Sequence, residues 1–297
     1  MVYSSPDAVD FSLADCSSLP RPGRVVLTTP THFDVEYVIN PHMSDNVGRV
    51  NKAVAFQQWK ALRAAYAALD VEPIVATGQP GLPDMVFCAN QTLPYYDPES
   101  NTRGVILSRM HAEERKPEVP YYADFFEQQG FEIQRLPEDL DADFEGMGDA
   151  IWHPAHRLLW GGHGFRTTPE AYEALSELID VPVVLLRLAD ADYYHLDTCF
   201  CPLDADTVLV APAAFDATGR TLIDRFFDTV IEAPDEEARH QFACNAHCPN
   251  GTHVLIQEGC DETNRRLRAH GFRPVELDTS EFLKSGGSVF CMKQMIW

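Results

Sequence analysis

The sequence predicts an α/β protein made of one closed or nearly closed assembly of five quasi-repeated strand-helix-strand units. Three observations carry this reading. An amphipathic helix, a glycine or acidic turn and a short β-rich strand recur in that order five times. A further β-type run precedes each helix, and the repeat length of roughly fifty residues makes units that need neighbours to bury their faces. A doubly wound sheet would alternate single strands with helices, so the extra strand counts against it.

Residues 1–22 are rich in Ser, Pro and Asp and end in Leu-Pro-Arg-Pro-Gly, which reads as a loosely held N-terminal arm before a single domain over 23–297. Arg24–Thr29 is the first β-rich run. Asn51–Leu69 follows as an amphipathic helix, with Val54, Trp59, Leu62, Ala65, Tyr66 and Leu69 spaced at three and four, and Pro73–Ala76 is its strand. The later helix and strand pairs are 120–129 with 131–136, 169–179 with 181–187, 218–227 with 229–233, and 262–270 with 272–277. The intervening β-type runs are 104–108, 157–160, 207–211 and 253–257. Units so arranged bring their loops to a common centre, where ligand pockets form.

With 297 residues and 45% hydrophobic content the chain can bury a large core. No apolar run is long enough for a membrane helix and no leader pattern opens the chain, so a cytoplasmic protein is expected. The formal charge of -22 argues against nucleic acid; the excess acid keeps the protein soluble or, alternatively, attracts a cationic small-molecule substrate. Eight cysteines in a chain of this size fit a reducing compartment. Cys199-Phe-Cys201 and Cys244-Asn-Ala-His-Cys248 lack the paired spacing of a structural zinc motif, so neither metal nor cofactor is expected.

Chemistry is concentrated in three places. Gly286-Gly287 stand just before Cys291, and glycines let the backbone approach whatever that sulfur attacks. Cys291 is therefore the nucleophile candidate, the alternative being an inert thiol in a final core strand, 288–296. His195 and Asp197 sit two apart in an apparently extended segment, which would project both to one face as an acid-base pair. Glu145 and Asp149 flank Gly-Met-Gly, a turn that leaves both acids available to a cleft, the alternative being a polar turn with two solvated acids. A thiol, a proton carrier and carboxylates suit attack on a planar cationic carbon such as a guanidinium: the thiolate adds, the His protonates the departing amine, and the His then activates water. Carboxylates clamp such a cation through paired N–H bonds.

Asn40-Pro-His-Met43, Pro83-Asp-Met-Val-Phe-Cys-Ala-Asn90, Phe144-Glu-Gly-Met-Gly-Asp149, Gly164-Phe-Arg-Thr167, His195-Leu-Asp-Thr-Cys-Phe-Cys-Pro-Leu203 and Phe282-Leu-Lys-Ser-Gly-Gly-Ser-Val-Phe-Cys291 together carry a resemblance. The set resembles the guanidine-modifying, or pentein, superfamily from about Val25 to the C-terminus, and within it the cyanobacterial-type arginine dihydrolases; it also resembles bacterial dimethylarginine dimethylaminohydrolases. That resemblance implies a five-bladed α/β propeller and a cofactor-free hydrolase. By position it implies Cys291 as nucleophile, His195 as general acid-base, Glu145 as the acid that binds and orients the guanidinium, and Asp197 as a second guanidinium contact. Arg109 and Arg166 would hold the substrate carboxylate, and Asn40, Asp84, Phe87, Asn90 and Asp149 would complete the binding set.

Asn90 is the informative departure, because deiminases and dimethylargininases are expected to carry aspartate there. An asparagine offers donor and acceptor and so accommodates a neutral ureido group better. The resemblance then implies arginine dihydrolysis through a Cys291 thiouronium to ornithine, ammonia and carbon dioxide, in a chain that corresponds to the hydrolase half of dihydrolases fused to an ornithine-processing domain. Alternatives are dimethylarginine hydrolysis to citrulline and an alkylamine, arginine deimination, and amidine transfer. Outside that class stand a silent arginine-binding module and a metal-dependent hydrolase. The partner expected is arginine or a methylated arginine, and a homo-oligomer is compatible with this reading.

Overall fold

A computed structural model describes residues 1–297. Five separate sheets organise the chain, and each contains a parallel strand pair joined through a helix. In the first, Arg24–Thr28 runs through helix Lys52–Ala68 to Glu72–Ala76. The second pairs Thr102–Leu107 with Glu132–Arg135 through helix Val119–Gln128. The third pairs Leu159–His163 with Val183–Arg187 through Pro169–Ile179. The fourth pairs Thr207–Val210 with Thr229–Glu232 through Ala217–Phe226. The fifth pairs His253–Gln257 with Arg273–Leu277 through Asp261–Ala269.

A short antiparallel strand flanks the first strand of most pairs: Thr92–Asp97, Ala150–Trp152 and Phe200–Pro202 in three sheets, and an isolated His247–Leu255 bridge in the fifth. In the first sheet this place is taken by the C-terminal strand Gln294–Ile296, which runs antiparallel to Arg24–Val26. The end of the chain thus returns to its beginning and carries Cys291 inward.

The helices bury one stripe each. In Lys52–Ala68 the stripe is Ala55, Trp59, Leu62 and Tyr66, at successive steps of four, three and four; Val54 lies on the outer face. Asn51 caps this helix, its Oδ1 accepting from the Val54 N–H.

The expectation of a loose N-terminal arm is corrected. Val2–Tyr3 adds a parallel strand beside Val183–Val184, and Tyr3, Val9 and Leu19 are buried. Apolar residues at intervals along this polar segment give it a face to dock. Arg225 also donates to the Val9 carbonyl at 2.8 Å.

All eight cysteines are free, and no group of three or more His, Cys, Asp or Glu is arranged to hold a metal ion. No helix is long and apolar enough to cross a membrane.

Candidate active site

The loops between sheets meet at a cleft lined by Cys291, His195, Asn90, Arg166, Asp84, Asn40 and Phe87. Cys291 lies in a turn between helix Ser280–Leu283 and the C-terminal strand, rather than within an extended 288–296 strand. One side chain holds this turn. Asn245 accepts at Oδ1 from the Ser288 and Cys291 N–H groups at 3.0 and 3.3 Å, while its Nδ2 donates to Cys291 Sγ at 3.1 Å. The thiol donates to Asp197 Oδ2, also at 3.1 Å. Burial pushes the thiol pKa well above its usual value, and the Asp197 charge pushes it further. Burial likewise raises Asp197 to about 7, against the opposing hydrogen bond from Cys291 and the charge of Lys293.

Gly286 earns its place in this turn. Its φ is +81°, and a Cβ there would come within 2.8 Å of Asn40 Oδ1 and 2.9 Å of the Tyr194 hydroxyl. The glycines admit side chains of the cleft wall, therefore, as much as backbone.

His195 and Asp197 do not share a face. His195 caps a 3-10 turn over Leu196–Thr198, so the two side chains diverge where an extended segment would align them. Asp197 turns to the sulfur, whereas His195 Nε2 lies 2.6 Å from Glu145 Oε2. Glu145 is fully buried and also accepts from Arg166 at 3.3 Å and from the His111 N–H at 3.0 Å. Burial alone would raise its pKa; the hydrogen bond and charge of His195, with Arg166 and Arg115, outweigh this and hold it well below the usual carboxylate range. Between the two acids of the glycine turn, Glu145 is the one joined to His195 and Arg166. Asp149 accepts from the Leu196 N–H and the Thr167 hydroxyl at 3.0 and 2.7 Å, which braces the loop behind His195; burial lifts it to about 6.

Asn90 is no surface turn residue. It is 2% exposed, and Gly148 is needed beside it, since a Cβ there would stand 2.2 Å from Asn90 Nδ2. Its Oδ1 accepts from Arg115 at 2.9 Å, and its Nδ2 has no partner. Arg115 has donors only, so the amide cannot be turned the other way round. Asn40 caps the turn Pro41–Met43 with Oδ1 and donates to the Ser285 carbonyl with Nδ2 at 3.0 Å. Asp84 accepts from the Ser285 hydroxyl, and its Oδ2 is unpartnered, as is Oδ1 of Asp197. The orphaned atoms around the nucleophile are thus two carboxylate oxygens and one amide N–H, which is the complement of a cationic N–H donor that also bears an acceptor.

Arg109 is a correction. Its guanidinium is tied to the carbonyls of Pro137, Leu140 and Ala142 and does not line the cleft, because its backbone pairs with Phe144 while the side chain leaves along the 137–142 loop. Arg166 does line it, with its guanidinium over the Tyr194 ring at 5.1 Å. The cation that sequence reasoning missed is Arg115, 4% exposed and bonded to Glu118. Its only signal was Arg and Glu at an i, i+3 spacing within an acidic stretch. Asn245 was visible at the end of Phe-Ala-Cys-Asn, but its bonds to Ser288 and Cys291 span more than forty residues.

Residues 22–297 match the family described as N,N dimethylarginine dimethylhydrolase, eukaryotic. The chain is 37% identical to the bifunctional arginine dihydrolase/ornithine cyclodeaminase ArgZ of Synechocystis sp. over 91% of its own length, and it spans 37% of that relative. It is 34% identical to the N(G),N(G)-dimethylarginine dimethylaminohydrolase of Mycobacterium tuberculosis, with 92% of this chain and 85% of that one covered. Its fold superposes with a TM-score of 0.84 and 36% identity on the crystal structure of an ArgZ N-terminal domain variant bonded covalently to a reaction intermediate, over 92% of this chain and 97% of that one. With a buried Cys, His and Glu gathered at one cleft and the match running across nearly the whole sequence, the chain belongs to the dimethylarginine dimethylhydrolase family.

Proposed function

We propose that this chain is a cofactor-independent hydrolase of the guanidino group of L-arginine, releasing ornithine, ammonia and carbon dioxide. The observation that carries the reading is the Asn90 amide at the cleft wall, whose Oδ1 is held by Arg115 while its buried Nδ2 donors have no partner. A buried donor there suits the carbonyl oxygen of a ureido group, the product of one hydrolysis, and a site that retains citrulline can attack it again.

In the free protein Cys291 carries its proton. An entering guanidinium supplies the positive charge that favours the thiolate; the proton passes to Asp197 Oδ2, and the sulfur adds to the guanidinium carbon. His195 protonates the departing ammonia, leaving a thiouronium. It then takes a proton from the water that breaks the C–S bond, with Glu145 stabilising the imidazolium throughout. A second attack at the ureido carbon, followed by a second water, separates ornithine from carbamate, which decomposes to ammonia and carbon dioxide. Two waters are consumed and two ammonia released per arginine. Arg166 takes the substrate carboxylate, the orphaned oxygens of Asp84 and Asp197 take its N–H groups, and Asn40 and Phe87 shape the cleft.

Hydrolysis of dimethylarginine is the second reading, favoured by the family description and by the Mycobacterium relative. The ratio of kcat/KM for L-arginine and asymmetric dimethylarginine separates them. We expect arginine to be preferred by about tenfold or more; a preference for the methylated substrate overturns the arginine reading.

Three structural readings accompany the proposal. The five sheets close as a five-bladed α/β propeller, supported by the return of the C-terminal strand to the first sheet. Residues 23–297 act as one hydrolase domain, with 1–22 as a docked arm. The compartment is cytoplasmic, in keeping with eight free cysteines.

A further inference from the structure

Behind the nucleophile lies a second cavity, of about 100 Å³ and open to solvent. It shares no lining residue with the cleft described above. The two stand back to back, because Cys291 lines the front cleft and Lys293, two residues on, lines the rear cavity.

Phe290, Trp152 and Trp297 give this cavity flat apolar walls. Its charged lining is cationic throughout, Arg21 and Lys293, without one Asp or Glu, although acids outnumber bases 45 to 23 in the chain. His153 and His247 also line it and are held in the neutral form by burial.

Lys293 is the telling residue. It is 1% exposed, with its Nζ 3.3 Å from the centroid of the Phe290 ring, and it belongs to no salt bridge. Asp197, Cys201, Cys88 and Cys291 face it without a hydrogen bond. Burial lowers its pKa to about 7, against the opposing charge of Asp197, and native structures ordinarily give a buried ammonium a hydrogen-bonded acceptor. The hydrolytic scheme makes no use of this lysine. An anion in the rear cavity would give the ammonium the directly bonded partner that Asp197, acting only through its charge, does not.

We propose that the rear cavity binds a small organic anion, with its carboxylate paired to Lys293 and to Arg21 at the exposed rim, and its flat apolar body against Phe290, Trp152 and Trp297. Because Lys293 also faces Asp197 and Cys291, such a ligand acts electrostatically on the front site from behind.

Benzoate is the probe. It is titrated into the full chain while tryptophan fluorescence and heat are followed, since Trp152 and Trp297 both line the cavity. Saturable one-to-one binding is expected, weakened about tenfold or more by Lys293→Met, as for truncation of a buried charge partner. Arg21→Ala, at an exposed position that leaves the core intact, should weaken it about threefold. Arg166→Ala, in the front cleft, should leave it unchanged. The proposal is overturned if wild-type protein shows no saturable benzoate binding, if both rear substitutions leave affinity unaltered, or if Arg166→Ala abolishes it. None of these readouts depends on turnover of arginine.

Discussion

Replacing Asn90 with Asp should turn a two-round hydrolase into a one-round one. Arg115 would keep one oxygen of the new carboxylate, as it now keeps Oδ1 at 2.9 Å, and the other oxygen would take the place of Nδ2. The cleft would then present an acceptor where it now presents a donor. For a guanidinium this is a gain, a charge-assisted bond of about 1.5–3 kcal/mol. For a ureido carbonyl it is a loss, since two acceptors would face each other at a position only 2% exposed, where water cannot intervene. An unsatisfied buried acceptor costs about 2–3 kcal/mol, or roughly 30- to 150-fold in the second round. The new charge remains paired with Arg115, so the protein should still fold. The assay is a time course of citrulline, ornithine and ammonia from L-arginine. Citrulline should accumulate with one ammonia each, and ornithine formation should fall by about thirtyfold or more. Ornithine formed at the wild-type rate, with no citrulline, would refute the donor argument.

Asn245→Ala removes the acceptor for two turn N–H groups and the donor to Cys291 Sγ, so kcat should fall by about a hundredfold and stability by about 1–3 kcal/mol, read by steady-state kinetics and chemical denaturation. Glu145→Gln deprives His195 of its carboxylate and should cost about 10²–10⁴ in kcat, with a circular dichroism spectrum like that of wild type. Burial raises the folded pKa of Asp197 to about 7, above its unfolded value, so the native state binds the extra proton and this residue's contribution to stability falls as pH rises from about 4 to 7. Asp197→Asn should therefore raise Tm by about 2 °C or more at pH 8 and leave it nearly unchanged at pH 4, while activity is lost; a lower Tm at pH 8 would contradict the assignment. Arg115→Met strands the buried Glu118 and should destabilise the protein by about 3–5 kcal/mol, measured by urea unfolding.

The repeating helix, turn and strand units were legible because each rests on local signals: a helical stripe such as Trp59, Leu62 and Tyr66, followed by a turn and a β-branched run. The short flanking strands were harder. Ala150–Trp152 and Phe200–Pro202 are three residues long, too short to show a period. The docking of Val2–Tyr3 against Val183–Val184 depends on a partner about 180 residues away, which no local pattern encodes. In the site, Cys291 and Glu145 stood out by residue type and neighbouring glycines, His195 by its spacing from Asp197, and Asn90 through the family resemblance. Arg109 and Arg115 differ instead in where a long flexible side chain finds its acceptors, the 137–142 loop for one and buried Asn90 and Glu118 for the other. That is a property of tertiary packing. Lys293 was hidden for the same reason, since nothing in Cys-Met-Lys-Gln marks the lysine as buried.

The central claim is two hydrolytic rounds at one thiol. It is tested most directly by measuring ornithine, citrulline and ammonia together from L-arginine, with Cys291→Ser as the control. The account predicts two ammonia per ornithine, no free citrulline at completion, and no product of either kind from the serine variant. Citrulline accumulating with a single ammonia, or ornithine still formed without the Cys291 thiol, would contradict it.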